Sequence, residues 1–428
     1  MPLKSITPRA TFAPVVWITA VLVVVVLGFV GARSFFIDTL ATRLDIGDPA
    51  AGQMVDSLSE AAPGNRNVHL LAGVYYEKTF DVEDLDRSLA EYQKAAELDP
   101  SDYMLWMAVA EAKDRIGDAD GAKAAFERSL ELAPNYADIQ WAYGNFLLRQ
   151  GHQDQGFPLI ARAAAADKKL AGPAVSQVIQ MSGGDLATTQ ALLGRDPGVN
   201  AALTTALVAL NRYDDALRAW SGIPAEMRQG DYLQTGQDLV NSLIGAHHFR
   251  AAAIVAADLT QDEADKPSVG QVTNGGFENG VKVRNAGPFE WQITEGAEPQ
   301  IGLSEAQKRS GRYGMTLIYT FRPESSRQVS QQLAAEPGDR YRFSAWYKSS
   351  LKTDTKFQWQ LIDIVNGKLV ATTAEMSPTD AWREVSTDVV VPRNVDGLKL
   401  MLVRTGCTSS ACPATGMIAF DDISLTKE

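Results

Sequence analysis

The sequence predicts a multidomain chain of three parts: an N-terminal transmembrane helix, an all-α solenoid of helix-turn-helix repeats, and a C-terminal all-β jelly-roll sandwich. Three observations predict it: an uncharged apolar run near the N-terminus, a 34-residue period in an Ala- and Leu-rich middle, and short alternating segments towards the C-terminus. The predicted boundaries are a cytoplasmic tail at 1–14, an anchor at 15–32, repeats at 50–257, a linker at 258–271 and the sandwich at 272–428.

Composition narrows the class of protein. The 428 residues carry a formal net charge of −12 with ordinary aromatic, Gly and Pro contents, which predicts a folded chain. An acidic chain lacks the basic face that general nucleic-acid binding requires, so we expect no nucleic-acid partner.

The apolar run extends from Val15 to Ala32 and contains no charged residue. As a helix it covers about 27 Å, close to the hydrocarbon thickness of a bilayer. Lys4 and Arg9 precede it, which favours the N-terminus inside the cytoplasm. The alternative is a cleaved secretory signal, with Val30 and Ala32 as the small residues before the cut. Both readings export the rest of the chain, and we expect a single-pass inner-membrane protein with its bulk in the periplasm.

The two cysteines, Cys407 and Cys412, enclose the loop 408–411. No second Cys or His pair lies near them in the sequence, which argues against a zinc site. We expect a local disulfide, which contributes roughly 2 kcal/mol in the chain-entropy model and persists only in an oxidising compartment. Two unrelated free thiols are the alternative.

A period of 34 residues organises the middle of the chain. It relates, in pairs, Pro100 with Pro134, Ala110 with Gly144, and Gly117 with Gly151. Such a period is typical of stacked helix-turn-helix repeats, which bind other chains and do not catalyse reactions. Trp106, Ala122 and Phe126 lie where the two antiparallel helices of one unit must meet.

These residues resemble the tetratricopeptide repeat, over nearly half of the chain. An earlier unit carries Gly73, Tyr92 and roughly three extra residues in its turn, and two degenerate units follow at 211–216 and 247–252. In this family the concave groove usually holds a peptide or helix, so the resemblance implies a protein partner. The residues that carry it are packing residues and predict the fold, not the ligand.

Beyond residue 271 the pattern becomes that of a β-sandwich, with about eight or nine short strands separated by turn signals. The clearest segments are Met315–Phe321, Tyr341–Lys348, Phe357–Val365, Trp382–Val391, Leu398–Arg404 and Met417–Leu425.

Two motifs mark the ends of this domain. The sequence Asn-Gly-Gly-Phe-Glu-Asn-Gly at 274–280 opens it, and Phe-Asp-Asp-Ile-Ser-Leu at 420–425 closes it. With 310–314 and 337–346 between them, this order resembles the jelly-roll carbohydrate-binding modules of the family-four and family-nine type. The resemblance covers about 150 residues and implies the fold. Sugar binding remains a hypothesis, because many such domains serve other roles.

The same family often holds a structural calcium where its first and last strands meet. The matching carboxylates here are Glu278 and Asp421, and carbonyl oxygens near 310–311 would complete the six to eight oxygens that calcium requires. Calcium is the one expected cofactor. The alternative is that both carboxylates only accept hydrogen bonds from turns.

A sugar site needs aromatic faces and neighbouring polar groups. Alternation places Trp346 on the opposite face of its strand from Tyr341 and Tyr347, and it places Gln358 and Gln360 opposite Phe357. If Tyr341, Tyr347 and Phe357 belong to the core, then Trp346, Gln358 and Gln360 lie on the outer surface. We expect these three residues to form a shallow glycan platform there. The alternative is that Trp346 packs under a neighbouring loop.

No catalytic constellation or phosphate-binding motif is legible, and we expect no enzyme activity. The four histidines all fall in the helical half, and the adjacent pair His247 and His248 would point about 100° apart on a helix and cannot chelate a metal together.

The predicted function is a membrane-anchored periplasmic scaffold in exopolysaccharide or cell-envelope assembly. It would bind a protein through the repeats and, by hypothesis, a glycan through the sandwich. The alternatives are a purely structural scaffold without sugar binding and a polysaccharide-processing enzyme.

Overall fold

The computed structural model describes residues 13–48, 50–79, 81–320, 327–406 and 413–428. The chain forms two compact units that divide between Ala174 and Val175. The α-helices are α1 Ala13–Arg43, α2 Ala51–Ala61, α3 Arg66–Lys78, α4 Val82–Leu98, α5 Tyr103–Arg115, α6 Ala119–Leu132, α7 Ala137–Arg149, α8 Gln153–Ala166, α9 Lys168–Ser182, α10 Leu186–Leu193, α11 Pro197–Ala209, α12 Tyr213–Ser221, α13 Ala225–Arg228, α14 Leu233–Gly245 and α15 Phe249–Leu259.

Helix α1 contains the apolar run and continues beyond it. Its segment Val16–Arg43 has a mean hydropathy of 2.4 in its most apolar window, of which 6% is buried. Within the described residues it is the one helix long and apolar enough to cross a membrane, and a signal sequence has the same properties. The last turns of α1, unlike this exposed apolar window, pack against protein: Ile37 and Ala41 are buried against α2 and α3.

The first unit contains three antiparallel hairpins, formed by α3 with α4, α5 with α6, and α7 with α8. Gly117 and Gly151 lie in the turns of the second and third hairpins with φ of 86° and 84°, a conformation that favours glycine. Ala110, Ala122 and Phe126 are buried between the helices. Gly144 also lies in a closely packed position between helices, where an added Cβ would be 2.9 Å from Ile160 Cδ1.

One hydrogen bond recurs in each hairpin. His69 Nε2, Trp106 Nε1 and Gln140 Nε2 each bond the carbonyl oxygen of a proline six residues earlier, at 2.9, 2.9 and 2.6 Å. The prolines are Pro63, Pro100 and Pro134, so the spacing is 37 and then 34 residues. The three extra residues were predicted in the turn of the first unit, but they lengthen its second helix instead: α4 has 17 residues where α6 has 14.

The predicted degenerate repeats are also hairpins, α11 with α12 and α14 with α15. Asn211 and His247 occupy their turns with φ of 56° and 63°, in the left-handed region that glycine occupies in the earlier turns. His248 lies beside the Tyr213 ring, with 5.2 Å between ring centroids. The two histidines therefore have roles in a turn and in packing.

The C-terminal part is a sandwich of two five-stranded antiparallel sheets, which confirms the predicted fold class. Sheet A has the order β1-β4-β9-β6-β7 and sheet B has the order β2-β3-β10-β5-β8. The strands are β1 Gln292–Ile293, β2 Gln300–Ser304, β3 Gly314–Thr320, β4 Val329–Ala334, β5 Arg340–Ser349, β6 Lys356–Asp363, β7 Leu369–Thr372, β8 Thr379–Val390, β9 Gly397–Thr405 and β10 Thr415–Lys427. Within the described residues, which exclude Phe321, the six segments predicted from the sequence correspond to β3, β5, β6, β8, β9 and β10. The inward side chains of both sheets form one core around Trp359.

Residues 258–271, predicted as a linker, are hydrogen-bonded on both sides. Arg228 Nη1 binds Asp258 Oδ2 at 2.6 Å, and Gly270 N donates to Ala334 O at 2.7 Å. A short 3-10 helix, Glu263–Asp265, lies between them. Helix α15 also touches the sandwich directly, since Phe249 packs so closely on Gly397 that a Cβ there would lie 2.2 Å from the Phe249 ring.

The N-cap aspartates make the stability of the helical part sensitive to acid. Asp118 accepts hydrogen bonds from Lys113 Nζ at 2.6 Å and Gly121 N at 2.9 Å, and these lower its pKa. Hydrogen bonds from Thr188 likewise lower the pKa of Asp185. A lowered folded pKa contributes stability that is present above the unfolded value of about 3.9 and is lost as the pH falls through the folded value.

We therefore expect the melting temperature, followed by far-ultraviolet circular dichroism, to fall between about pH 5 and about pH 3. The Asp118→Asn/Asp185→Asn variant should fall less, because Asn caps a helix about as well as Asp but does not titrate. An equal fall in the variant and the unmodified chain would contradict the assignment.

Candidate functional site

The first helices of the three hairpins, α3, α5 and α7, lie side by side and present a common face. Arg115 Nη2 of α5 binds Glu77 Oε1 of α3 at 2.8 Å. Arg149 Nη2 of α7 binds Asp114 Oδ2 of α5 at 2.6 Å. Each arginine thus pairs with an acid of the preceding hairpin, and the two ion pairs hold neighbouring repeats in register.

Apolar side chains lie on the same side of these helices, because residues three and four positions apart share a helix side. On α3, Leu70, Val74 and Glu77 follow this spacing. On α5, Met107 lies about two turns before Asp114 and therefore on the same side. We call this surface the inner face; it consists of Leu70, Val74, Met107, Trp141 and Leu148 with the two ion pairs, and all five apolar residues are half-buried. Burial raises the pKa of the Glu111 carboxyl on α5, although Arg115 Nη2 lies 3.7 Å from Glu111 Oε2.

Trp346 lies on the outer side of sheet B, as alternation predicts, but it is covered. The Arg309 guanidinium carbon lies 3.8 Å from the centroid of its ring. Arg309 belongs to a segment, residues 305–313, that we call the strap. Trp382 of β8 fastens the strap as well, by donating from Nε1 to Lys308 O at 3.1 Å. This geometry corresponds to the alternative in which Trp346 packs under a loop.

Gln358 and Gln360 lie in sheet A, on β6, so the single platform with Trp346 is not formed. The three residues point outward, but from different sheets. Around Gln360, a row of paired residues crosses the outer side of four strands: Ser330, Met401, Gln360 and Thr372. We call this row with Gln358 and Gln332 the glutamine face. Within the described residues the Gln358 and Gln360 amides make no hydrogen bond, and Gln332 Oε1 is buried without a partner.

Glu278 and Asp421 both bind the strap. Arg312 N donates to both Glu278 oxygens at 2.9 Å, and Tyr313 N donates to Oε1 at 3.2 Å. Asp421 Oδ2 accepts from Arg309 N at 2.6 Å and from Ser310 N at 3.0 Å. The strap therefore links a carboxylate of the opening motif to a carboxylate of the closing motif.

Both carboxylates accept hydrogen bonds from backbone N–H groups of one loop, which is the geometry of the alternative to calcium, and the calcium site stays a prediction. No group of three or more His, Cys, Asp or Glu side chains forms a metal cluster in the described parts of the chain. Carbonyl oxygens of the strap would have to supply the remaining ligands. Burial raises the pKa of Asp421 although three backbone N–H groups oppose this, so a nearby cation would favour its charged form.

The calcium prediction is tested by melting the full chain in detergent with calcium and with a chelator. We expect calcium to raise the melting temperature of the sandwich and Glu278→Gln to abolish the increase. Glu305→Gln is the matched control, because Glu305 is an exposed strap carboxylate paired with Arg312 at 3.1 Å. Identical melting with calcium and chelator would remove the metal.

The disulfide prediction falls on Cys407 and Cys412, which lie outside the described residues. Sequence reasoning missed the proline-carbonyl hydrogen bonds of the repeats, although Pro63 precedes Pro100 by nearly one period. Resemblance placed residues 310–311 beside Glu278 and Asp421 as carbonyl ligands of a metal, but it missed that backbone N–H groups of the strap donate to both carboxylates.

Solved structures resemble separate parts of this chain. A CBM4 carbohydrate-binding module is 14% identical and covers 37% of this chain and 99% of its own, with a TM-score of 0.28. MamA is 15% identical over 47% of this chain and 96% of its own, with a TM-score of 0.29. YrrB, a TPR protein with an unusual peptide-binding site, is 16% identical over 49% and 93%, with a TM-score of 0.24. No family model and no curated protein match the chain.

Proposed function

We propose that the protein is a non-catalytic, membrane-anchored adaptor whose repeats bind a protein and whose sandwich binds a glycan, on the periplasmic side of the inner membrane in exopolysaccharide or cell-envelope assembly. The observation that carries the proposal is the presence, in one chain, of an apolar span, a ladder of helical hairpins with a half-buried apolar face, and a sandwich whose outward Gln358 and Gln360 amides have no partner in the described residues.

The inner face supports protein binding. Half-buried Met107, Trp141 and Leu148 offer apolar area, while the flanking ion pairs are already satisfied within the array. An apolar side of a partner helix or peptide would bury this area without leaving a charge unpaired, and aromatic residues and Met are common at such interfaces. The natural occupant is therefore a segment with apolar anchors.

A photo-cross-linking amino acid tests this in cells. We expect it to capture a partner when placed at Met107 and not when placed at Glu131, whose side chain is 67% exposed on a second helix. Trp141→Asp should abolish the Met107 product while leaving the melting temperature close to that of the unmodified chain. Equal capture from both positions would argue against the inner face.

The glutamine face supports glycan binding. Amides donate and accept hydrogen bonds in the same way as the hydroxyl groups of a sugar chain, and those of Gln358 and Gln360 have no competing partner in the described residues. The half-buried Met401 and Val403 beside them supply apolar contact for sugar rings. Trp346 lies beneath Arg309, and we assign it a role in packing the strap and not in binding sugar.

Affinity electrophoresis of the full chain in detergent, through gels containing neutral or acidic polysaccharides, tests the glycan. We expect retardation that the Gln358→Ala/Gln360→Ala variant loses and the Ile318→Ala control, on the outer side of sheet B, retains. Loss with Trp346→Ala alone would move the site to sheet B. Absence of retardation would favour the purely structural scaffold, and release of new reducing ends would favour an enzyme.

Sidedness is tested by C-terminal fusions. Active alkaline phosphatase and a dark green fluorescent protein fusion are expected for a periplasmic C-terminus. The reverse pattern would place the sandwich in the cytosol and exclude the periplasmic role.

A further inference from the structure

We infer that α1 is one continuous helix whose last turns pack on the first helices of the repeat array. The turns that contain Pro63 and Pro100, which we call the proline turns, would then contact lipid headgroups. The inference rests on the proposed anchoring of α1 in a membrane. It adds an interaction surface, the first proline turn, and a partner, the polar surface of the bilayer.

No flexible tether separates the apolar span from the repeat array. Helix α1 is unbroken to Arg43. Ile37 and Ala41 are 8% and 6% exposed, and they pack in one cluster with Val55, Leu58 and Val68 of α2 and α3. The same helix thus leaves the apolar region and enters the core of the first unit.

The hydrocarbon core ends near Arg33. The uncharged run 15–32 covers about 27 Å as a helix, close to the thickness of about 30 Å that a bilayer core requires, and Arg33 is the first charged residue after it. Phe35 and Phe36 are 75% and 64% exposed, on the turn just before the buried Ile37. Exposed aromatic rings at this level are typical of the membrane–water interface, although Trp and Tyr are the residues most enriched there.

The turn that contains Pro63 lies at the same level as the end of the apolar span. Arg33 Nη2 donates to Ala61 O at 2.7 Å, and Asn67 Nδ2 donates to Asp38 Oδ1 at 2.5 Å. Ala61 ends α2, and Asn67 lies in the first turn of α3. The connecting turn with Pro63 is therefore level with residues 33–38 of α1, at the expected boundary of the bilayer.

The second hairpin places its own proline turn beside the first. Arg66 Nη1 binds Asp99 Oδ2 at 2.6 Å and Asp102 Oδ2 at 2.8 Å, which places the Pro100 turn beside the Pro63 turn. The opposite turns, such as the one at Gly117, lie at the far ends of 13-residue helices, about 20 Å away. The array therefore has a lipid-facing edge and an edge that faces away.

Fluorophores at single cysteines test this arrangement. The full chain with Cys407→Ser and Cys412→Ser is reconstituted in phosphatidylethanolamine–phosphatidylglycerol vesicles that contain headgroup-spin-labelled lipid. Gly64→Cys reports on the proline edge, where a Cβ meets nothing within 4 Å, and Asp120→Cys is the matched control on the opposite edge. We expect quenching at least about twofold stronger at position 64, given the distance of about 20 Å.

A flexible Gly-Ser insertion of about six residues after Phe36 should keep the chain in the membrane and remove the difference between the two positions. Equal quenching in the uninterrupted chain, with the protein still resistant to carbonate extraction, would overturn the inference alone. Release by alkaline carbonate would overturn both the inference and the proposed anchoring.

Discussion

Gly275→Ala is expected to destabilise the sandwich by about 3 kcal/mol, because the added methyl group has no space. A Cβ at this position would lie 1.9 Å from the carbonyl oxygen of Ile423, which is backbone and cannot rotate away. The same two residues share a hydrogen bond, from Ile423 N to Gly275 O at 2.9 Å. Separating them would break the direct contact between the opening and closing motifs.

Urea unfolding of the full chain, followed by tryptophan fluorescence, measures this effect. Gly276→Ala is the matched control, since the nearest atom to its Cβ is 3.9 Å away. It should change the free energy of unfolding by less than about 0.5 kcal/mol. Similar losses for both variants would show that the opening motif matters for a reason other than its contact with Ile423.

Trp359→Ala is expected to cost about 3–5 kcal/mol, the usual range for deleting a buried aromatic side chain. Trp359 is fully buried at the centre of the core. Its ring lies 5.2 Å from that of Phe420, 6.0 Å from Trp291 and 6.3 Å from Phe343. The residue therefore joins side chains of both sheets, and its removal would leave a cavity between them.

The smaller change Trp359→Phe should cost much less than Trp359→Ala. Within the described residues, the buried Trp359 Nε1 has no hydrogen-bond partner, and an unsatisfied buried donor costs about 1–3 kcal/mol. Phe removes that donor and keeps most of the ring. Val390→Ala, at a side chain 55% exposed, serves as the control and should be nearly neutral. Equal costs for Phe and Ala would contradict this account.

The sequence was most informative where the signal is local and periodic. The interval between Pro100 and Pro134 predicted stacked hairpins, because each repeat contacts mainly its neighbours. The same logic applied to Pro63 would have extended the array by one turn and found His69, Trp106 and Gln140 as equivalent residues. Alternation likewise predicted which side chains of β5 and β6 face the core.

The sequence was least informative where distant segments meet. Trp346 and Gln358 are 12 residues apart, yet they lie in different sheets, because β5 pairs with β8 and β10 while β6 pairs with β7 and β9. Polar composition predicted a linker at 258–271, but composition does not show that Asp258 and Gly270 bond distant residues. The positions of Glu278 and Asp421, with residues 310–311 near them, followed from resemblance, whereas the hydrogen bonds from backbone N–H groups of the strap to both carboxylates did not.

The sequence by itself determined the three-part architecture of this protein, because hydropathy, a fixed period and strict alternation each arise from the geometry of a single helix, hairpin or strand. Only the tertiary structure decided which surfaces these elements share: the inner face, the glutamine face and the edge that carries the Pro63 and Pro100 turns. The physical reason is that such surfaces are assembled by hydrogen bonds and packing between residues far apart in the chain, whose pairing no local pattern encodes.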